Sequence, residues 1–363
     1  MTDSDSLIGF NPISDPPGVE IVDQIEQLRY RIHTFTSVSP VDVDTDQFRH
    51  PVDRAVELFT KSIVIPAGKT VCVRNTDGEM LAEIGHLEEQ SFQAGRYVLD
   101  LGTQIKTFIN IEGPLDVSVD LLETRIELDD TKRVSIGAVC WHDRPAATVT
   151  TTGSPVDMMA AISTFGSALK TTSPERSFPS NRGHPPAIRL GNSLDIPPVV
   201  EPPDTGISIE IPPTYEAVYA ASPLAYYLSA NVEVGSTPKL ITEDGFEHSL
   251  ETPYGLGKGV ERVLKQVFLL DCVTRTEGVY EIELRERNLL EPHLNFDFAA
   301  LYDRPLAEQV ETYLSVPYSV VADSIPEWRL TVQVQPDAET VEQIPYVVDD
   351  LAIVRSTTGV DGT

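Results

Sequence analysis

Lysine is scarce in this sequence: 8 residues against 19 arginines in a chain of 363. All cationic side chains together number 27 and the acidic ones 56, a formal net charge of −29. Nucleic-acid binding needs clustered cations to neutralise phosphates, so no nucleic-acid partner is expected. Cysteine is rare too. Cys72, Cys140 and Cys272 are an odd number, far apart, with no Cys-x-x-Cys, which argues against a disulfide framework and against a structural zinc site. Long apolar runs are missing: none approaches the roughly 20 residues that span a bilayer, so no membrane association is expected. The N-terminus carries Asp3 and Asp5 and lacks the basic region and apolar core of a secretory signal. These absences together point to the cytoplasm.

What is abundant is carboxylate. A surface this acidic and this poor in lysine repels itself unless salt screens it, a pattern that fits halophilic adaptation better than an acidic mesophilic protein. A hydrophobic content of 41% is that of an ordinary folded chain, and the length suffices for two domains with cores.

The pattern along the chain predicts a mixed α+β protein: an antiparallel β-sandwich-like half followed by an α/β layered half. Residues 1–20, polar and punctuated by proline, are expected as a loose tail, and 21–153 as the β-rich domain. Period-two stretches lie at 29–38, 62–66, 70–74, 79–84, 96–101, 105–111, 115–121, 124–128, 133–139 and 147–152. Residues 154–213 read as a helix, a basic loop and a proline-rich connector. Ser154-Pro155-Val156-Asp157 is a helix start, with Ser154 as N-cap and Pro155 at the first helical position. Met158, Ile162, Phe165 and Leu169 then recur at helical spacing.

A strand is expected at 206–211, at the end of the connector, and in the mixed domain at 214–355 strands are expected at 217–221, 231–234, 239–242, 246–250, 280–284, 328–334 and 351–355. Helices are expected at 223–230, 305–314 and 339–348. The strongest helical signal is Val260, Val263, Leu264, Val267 and Phe268, with Glu261 and Lys265 as an exposed i, i+4 pair. Residues 356–363 complete the chain as a flexible tail.

Three constellations bear on function. Between Lys170 and Arg189 the chain holds Lys170, Arg176, Arg182 and Arg189 against the single acid Glu175, unlike its acidic surroundings. Pairing of these cations with nearby carboxylates is the favoured reading. The alternative is a patch for docking an anion or partner at Lys170, Arg176, Arg182 and His184. Gly255-Leu256-Gly257-Lys258-Gly259 leads into the strong helix with the ingredients of a phosphate cradle, Gly255, Gly257, Lys258 and Gly259. Its spacing misses the P-loop, so a flexible lead-in competes with a phosphate site. Cys140-Trp141-His142 puts a thiol and an imidazole on one face of a strand, without a visible orienting partner. No metal spacing is found among the seven histidines, and no cofactor is expected.

Residues 165–176, Arg182-Gly183-His184-Pro185-Pro186, Pro223-Leu224-Ala225-Tyr226-Tyr227-Leu228 and 261–272 resemble segments of uncharacterised proteins from halophilic archaea. The resemblance spans most of the chain from Glu20 onward. It implies that some relatives continue into a caspase-like (CHAT) protease domain. No His/Cys pair of that domain is identifiable here, so no catalytic residue carries over.

The expectation is a non-catalytic interaction or scaffold protein with a protein partner. The alternatives are a cysteine hydrolase of caspase-like ancestry, with Cys272 or Cys140 as nucleophile and His184 or His248 as base, and a binder of a phosphorylated small molecule at 255–259. The charge itself makes a prediction: the melting temperature should climb between low salt and molar potassium chloride. An unchanged melting temperature would remove the halophile reading.

Overall fold

The computed structural model describes residues 7–140, 142–279 and 283–357. They divide into two compact units, the first running to His142 and taking in Val279, the second beginning at Asp143. The boundary falls before the strand Thr148–Thr151, not after it. That strand pairs in parallel with Ala187–Leu190 and so belongs to the second unit.

Period-two alternation builds the first unit into one antiparallel sheet. Two long strands, Arg54–Ile65 and Thr124–Val139, pair along their lengths at its centre. Their register shifts between Glu127 and Lys132. On one side of the shift, Thr124–Val139 takes Leu115–Val119 as its other neighbour, and on the far side Lys106–Glu112. The sheet therefore folds over, and Ile63, Val117, Ile126, Leu99, Ile109 and Val134 meet in one core. This is the sandwich-like half that the alternation predicts. The stretches 124–128 and 133–139 form one strand because the chain between Glu127 and Lys132 shifts register without turning back. Residues expected as a loose tail instead form Ile8–Ser14 and Pro17–Asp23, paired through a turn at Asp15-Pro16. Ile8, Val19 and Ile21 are buried in the core, a burial that outweighs the proline-rich look of the segment.

In the second unit, helix α1 spans Pro155–Ser163. Pro155 sits at the expected position, but Ser154 makes no side-chain cap bond; the adjoining Thr152 hydroxyl reaches Asp157 instead. Helix α2, Tyr215–Leu228, replaces the strand expected at 217–221 and takes in most of the short helix expected at 223–230. Thr214 caps it by accepting from Ala217 N at 3.3 Å. Every residue from Ala217 to Leu228 is buried, so the helix has no polar face and offers no 3.6-residue period to read. Pro223 removes the amide that would bond Tyr219 O, and the Ser222 hydroxyl donates to that carbonyl in its place, at 2.8 Å.

Helix α3, Leu256–Thr274, carries the predicted stripe. Val260, Val263, Leu264 and Val267 are buried, and Phe268 is half-buried between Tyr227 and Trp328. Glu261, expected exposed, is only 5% exposed, because three cations close over it.

Around these helices lie small sheets. Ile207–Ile211 has Asn231–Val234 parallel on one side and Lys239–Thr242 antiparallel on the other, and Lys239–Thr242 pairs with Glu247–Ser249 as the expected hairpin. Thr331–Val334 pairs in parallel with Ile353–Ser356. The expected connector 154–213 is thus part of a packed unit, contributing two strands and the buried Phe165 and Val200. Of the strand expected at 280–284, residues 280–282 lie outside those described, as do 358–363 of the expected C-terminal tail. Among the described residues no helix is long and apolar enough to cross a membrane.

Burial this complete has a stability consequence. Leu264→Ala should cost about 2–5 kcal/mol in denaturant unfolding, through lost transfer energy and the cavity left behind. The exposed Leu289→Ala should stay within about 0.5 kcal/mol. Equal costs would mean that α3 does not organise the core.

Candidate functional site

The basic loop is wound into two short turns, Pro174–Ser177 and Pro179–Asn181. This winding turns Arg176 inward, where its guanidinium is 0% exposed. It donates to Asp271 Oδ1 of α3 at 2.7 Å, to Thr172 O at 2.6 Å and to Gln309 Oε1 at 3.3 Å. Tyr227 of α2 donates to the other Asp271 oxygen at 2.6 Å, and both Arg176 and Arg182 lie over its ring. Tyr226 donates to Gly183 O at 2.7 Å. His184 is buried, with its ring edge-on to Tyr346 and Nδ1 2.6 Å from Pro185 O. Lys170 is half-buried, its backbone amide bonded to Asn181 O. Of the four residues considered for docking, Arg176 and His184 are therefore withdrawn from any surface, because the charge of Arg176 is spent on a buried partner. Burial pushes the Asp271 carboxyl up to about 6, against the pull of Arg176 and Tyr227.

The glycine loop opens onto a different feature, a cleft of about 710 Å³. Strand Ile207–Ile211 runs into it through Pro212 and the capping Thr214, so the N-terminus of α2 faces it. The end of strand Ile353–Ser356 supplies Arg355 and Ser356 to its wall. The three glycines do different work. Gly255, at φ 88°, makes the turn that precedes α3. A Cβ on Gly257 would meet nothing within 4 Å. A Cβ on Gly259 would lie 1.9 Å from Leu250 O, so only glycine lets the helix pack so close to that segment. No side chain caps α3, which leaves its first amides unclaimed by a cap.

Electrostatically the cleft is held by Glu261. It accepts from Lys258 at 2.9 Å, Lys265 at 2.8 Å and Arg355 at 3.1 Å. Burial pushes its carboxyl up, and the bonds from Lys265 and Lys258 more than offset this, holding it at about 2. Of these three cations, Lys258 and Arg355 line the cleft beside the start of α3, with Glu261 between them, and Lys265 does not. The Ser356 hydroxyl, which lines the cleft, is buried with no hydrogen-bond partner. Glu216 lines the cleft as well. Sequence reading finds the glycines and Lys258 but not Arg355 or Ser356, which lie about a hundred residues away with no local signal.

The cysteine alternative fares differently. Cys140 Sγ lies 3.6 Å from His142 Nδ1, but the cysteine is 0% exposed and the imidazole is buried. A nucleophile must be reached by its substrate, and this contact is sealed. Burial pushes the thiols of Cys72 and Cys272 up, away from the reactive thiolate. His248, in the strand Glu247–Ser249, is half-buried and stacks on Phe246, and His184 is held against Tyr346. Among the described residues no group of three or more His, Cys, Asp or Glu side chains is arranged to hold a metal ion.

The buried pair makes a signed prediction. The folded value for Asp271 lies above its ordinary 3.8, so its contribution to stability is fully present below about pH 4 and is lost as pH rises through 6. Arg176→Ala removes the counter-charge and should cost about 3–5 kcal/mol at neutral pH. The deficit relative to the native protein should shrink at pH 5, where the stranded carboxyl takes up a proton. Urea midpoints at the two pH values test this, and an equal deficit at both would show that Asp271 does not depend on Arg176.

No protein-family model, curated protein or solved structure matches the chain.

Proposed function

We propose that the protein is a non-catalytic binding protein whose second unit takes up a phosphorylated small molecule in the cleft at Gly255–Gly259. The observation that carries this reading is the division of labour among the glycines. One turns the chain, one leaves open space over the first helical turn, and one allows close packing against the preceding segment. Glycine-rich phosphate loops divide their glycines in this way, and a long helix then points uncapped amides and its positive end at the anion. Lys258 and Arg355 stand beside those amides with Glu261 as their shared anchor. Ligands commonly sit at the carboxyl ends of strands in α/β layers, and two strands lead into this cleft. Glu216 is also in the lining, so a ligand joining a phosphoryl group to hydroxyls suits the cleft better than a bare polyanion. The excess of acid supports a salt-rich cytoplasm as the setting.

Gly257→Asp tests the reading cleanly. The added side chain enters open space, and an acid in the first turn favours the helix, so the fold should survive. Sugar phosphates and nucleotides should raise the melting temperature of the native protein, their dephosphorylated counterparts should not, and the variant should lose the rise. Absence of any phosphate-dependent rise in the native protein, or an equal rise in Gly257→Asp, would overturn the proposal.

A further inference from the structure

The first unit carries a second cleft, of about 1190 Å³, on the outer face of its sheet. Strand register explains how it forms. Arg96 pairs with Glu112, and Asn110 pairs with Val98 on one side and Ser135 on the other. Phe108 lies two residues before Asn110 on the same face, and that end of the face is covered by the segment around Phe48 and His50. His50 stacks on Phe108 at 4.1 Å, and Phe48 packs with Phe108, Ala55 and Val139. The cover stops at Gln47, whose carbonyl accepts from Asn110 Nδ2 at 3.1 Å and whose side chain meets the Ser135 hydroxyl at 3.4 Å. Beyond it the strands lie open.

The open part is basic in a strongly acidic chain. Arg49, Arg96, Lys132 and Arg133 line it, against the acids Glu112 and Asp129. Their ion pairs are loose: Arg96 to Glu112 at 3.5 Å, Arg133 to Glu57 at 3.5 Å and Lys132 to Asp129 at 3.3 Å. Arg96 is 72% exposed and Arg133 67%. Such pairs are worth about 0–1 kcal/mol, so incoming carboxylates replace them at little cost. Asn110 Oδ1, in the cleft lining, is buried without a hydrogen-bond donor. An amide N–H is what that oxygen lacks.

We propose that this cleft docks an acidic peptide segment of a partner protein, whose carboxylates meet Arg96, Arg133 and Lys132 and one of whose amides donates to Asn110 Oδ1. The chain's net charge opposes the long-range approach of any polyanion, and of a polyphosphate, with a charge on every unit, more than of a peptide that brings a few carboxylates. Base stacking also finds no free ring here, since Tyr97 packs on Phe92 and its hydroxyl is bonded to Gln93 O. The site is distinct from the glycine-loop cleft and stands or falls independently of it.

Fluorescence anisotropy with a short labelled Glu-rich peptide, its Gln-substituted counterpart and a single-stranded oligonucleotide tests the proposal on the full chain, at the lowest salt that keeps it folded. The Glu peptide should bind, weaken as salt rises, and bind about tenfold less well to Arg96→Ala/Arg133→Ala, whose melting temperature should be unchanged. Asn110→Val, which removes the accepting oxygen, should weaken binding as well, and Lys61→Ala, outside the cleft, should not. The proposal is overturned if the Gln peptide binds as well as the Glu peptide, if the double variant retains full affinity, if the oligonucleotide binds in preference, or if nothing binds.

Discussion

A buried carboxylate organises the second unit. Asp271 projects from α3 into the buried interior, where an unpaired charge is untenable, and three segments remote in sequence answer it. Arg176 comes from the wound basic loop, Tyr227 from the buried face of α2, and Gln309 joins through the same guanidinium. The loop, α2, α3 and the helix Leu306–Ser315 are thereby fixed to one point. Apolar packing among them supplies most of the burial, but packing is non-directional. The directional bonds that Asp271 accepts from Arg176 and Tyr227 specify which way each element faces.

The same helix links this centre to the cleft. Its last turns carry Asp271 and its first turn carries the glycine loop, so the anchored end holds the open end in place. Glu261 repeats the pattern on a smaller scale: one buried acid gathers Lys258, Lys265 and Arg355 and holds two of them beside the helix start. In both cases a carboxylate is removed from a surface crowded with them and used to position cations.

How much of this is legible in the sequence depends on whether a signal is local. The stripe on α3, the hairpin at 239–250 and most strands of the first unit follow from periodicity, because each element repeats its apolar residues at its own period. The first half of helix α2 escapes notice because it is buried all round, and its Pro223 imitates a boundary while Ser222 repairs the lost bond. Strands at Ile8–Ser14 and Pro17–Asp23 hide behind prolines that sit at their turn. The basic loop is visible as a charge anomaly, and pairing with carboxylates is the reading that geometry favours at Arg176. Its partner, Asp271, could not be named from spacing, since nothing local relates residues so far apart.

The two long strands of the first unit have a consequence for how it comes apart. Arg54–Ile65 and Thr124–Val139 each serve both layers, so neither layer owns a complete set of ladder bonds. Peeling one layer away would break the central pairing on which the other relies. Local opening is therefore confined to outlying strands such as Ile8–Ser14, while the amides of the central pair exchange with solvent only when the whole unit unfolds.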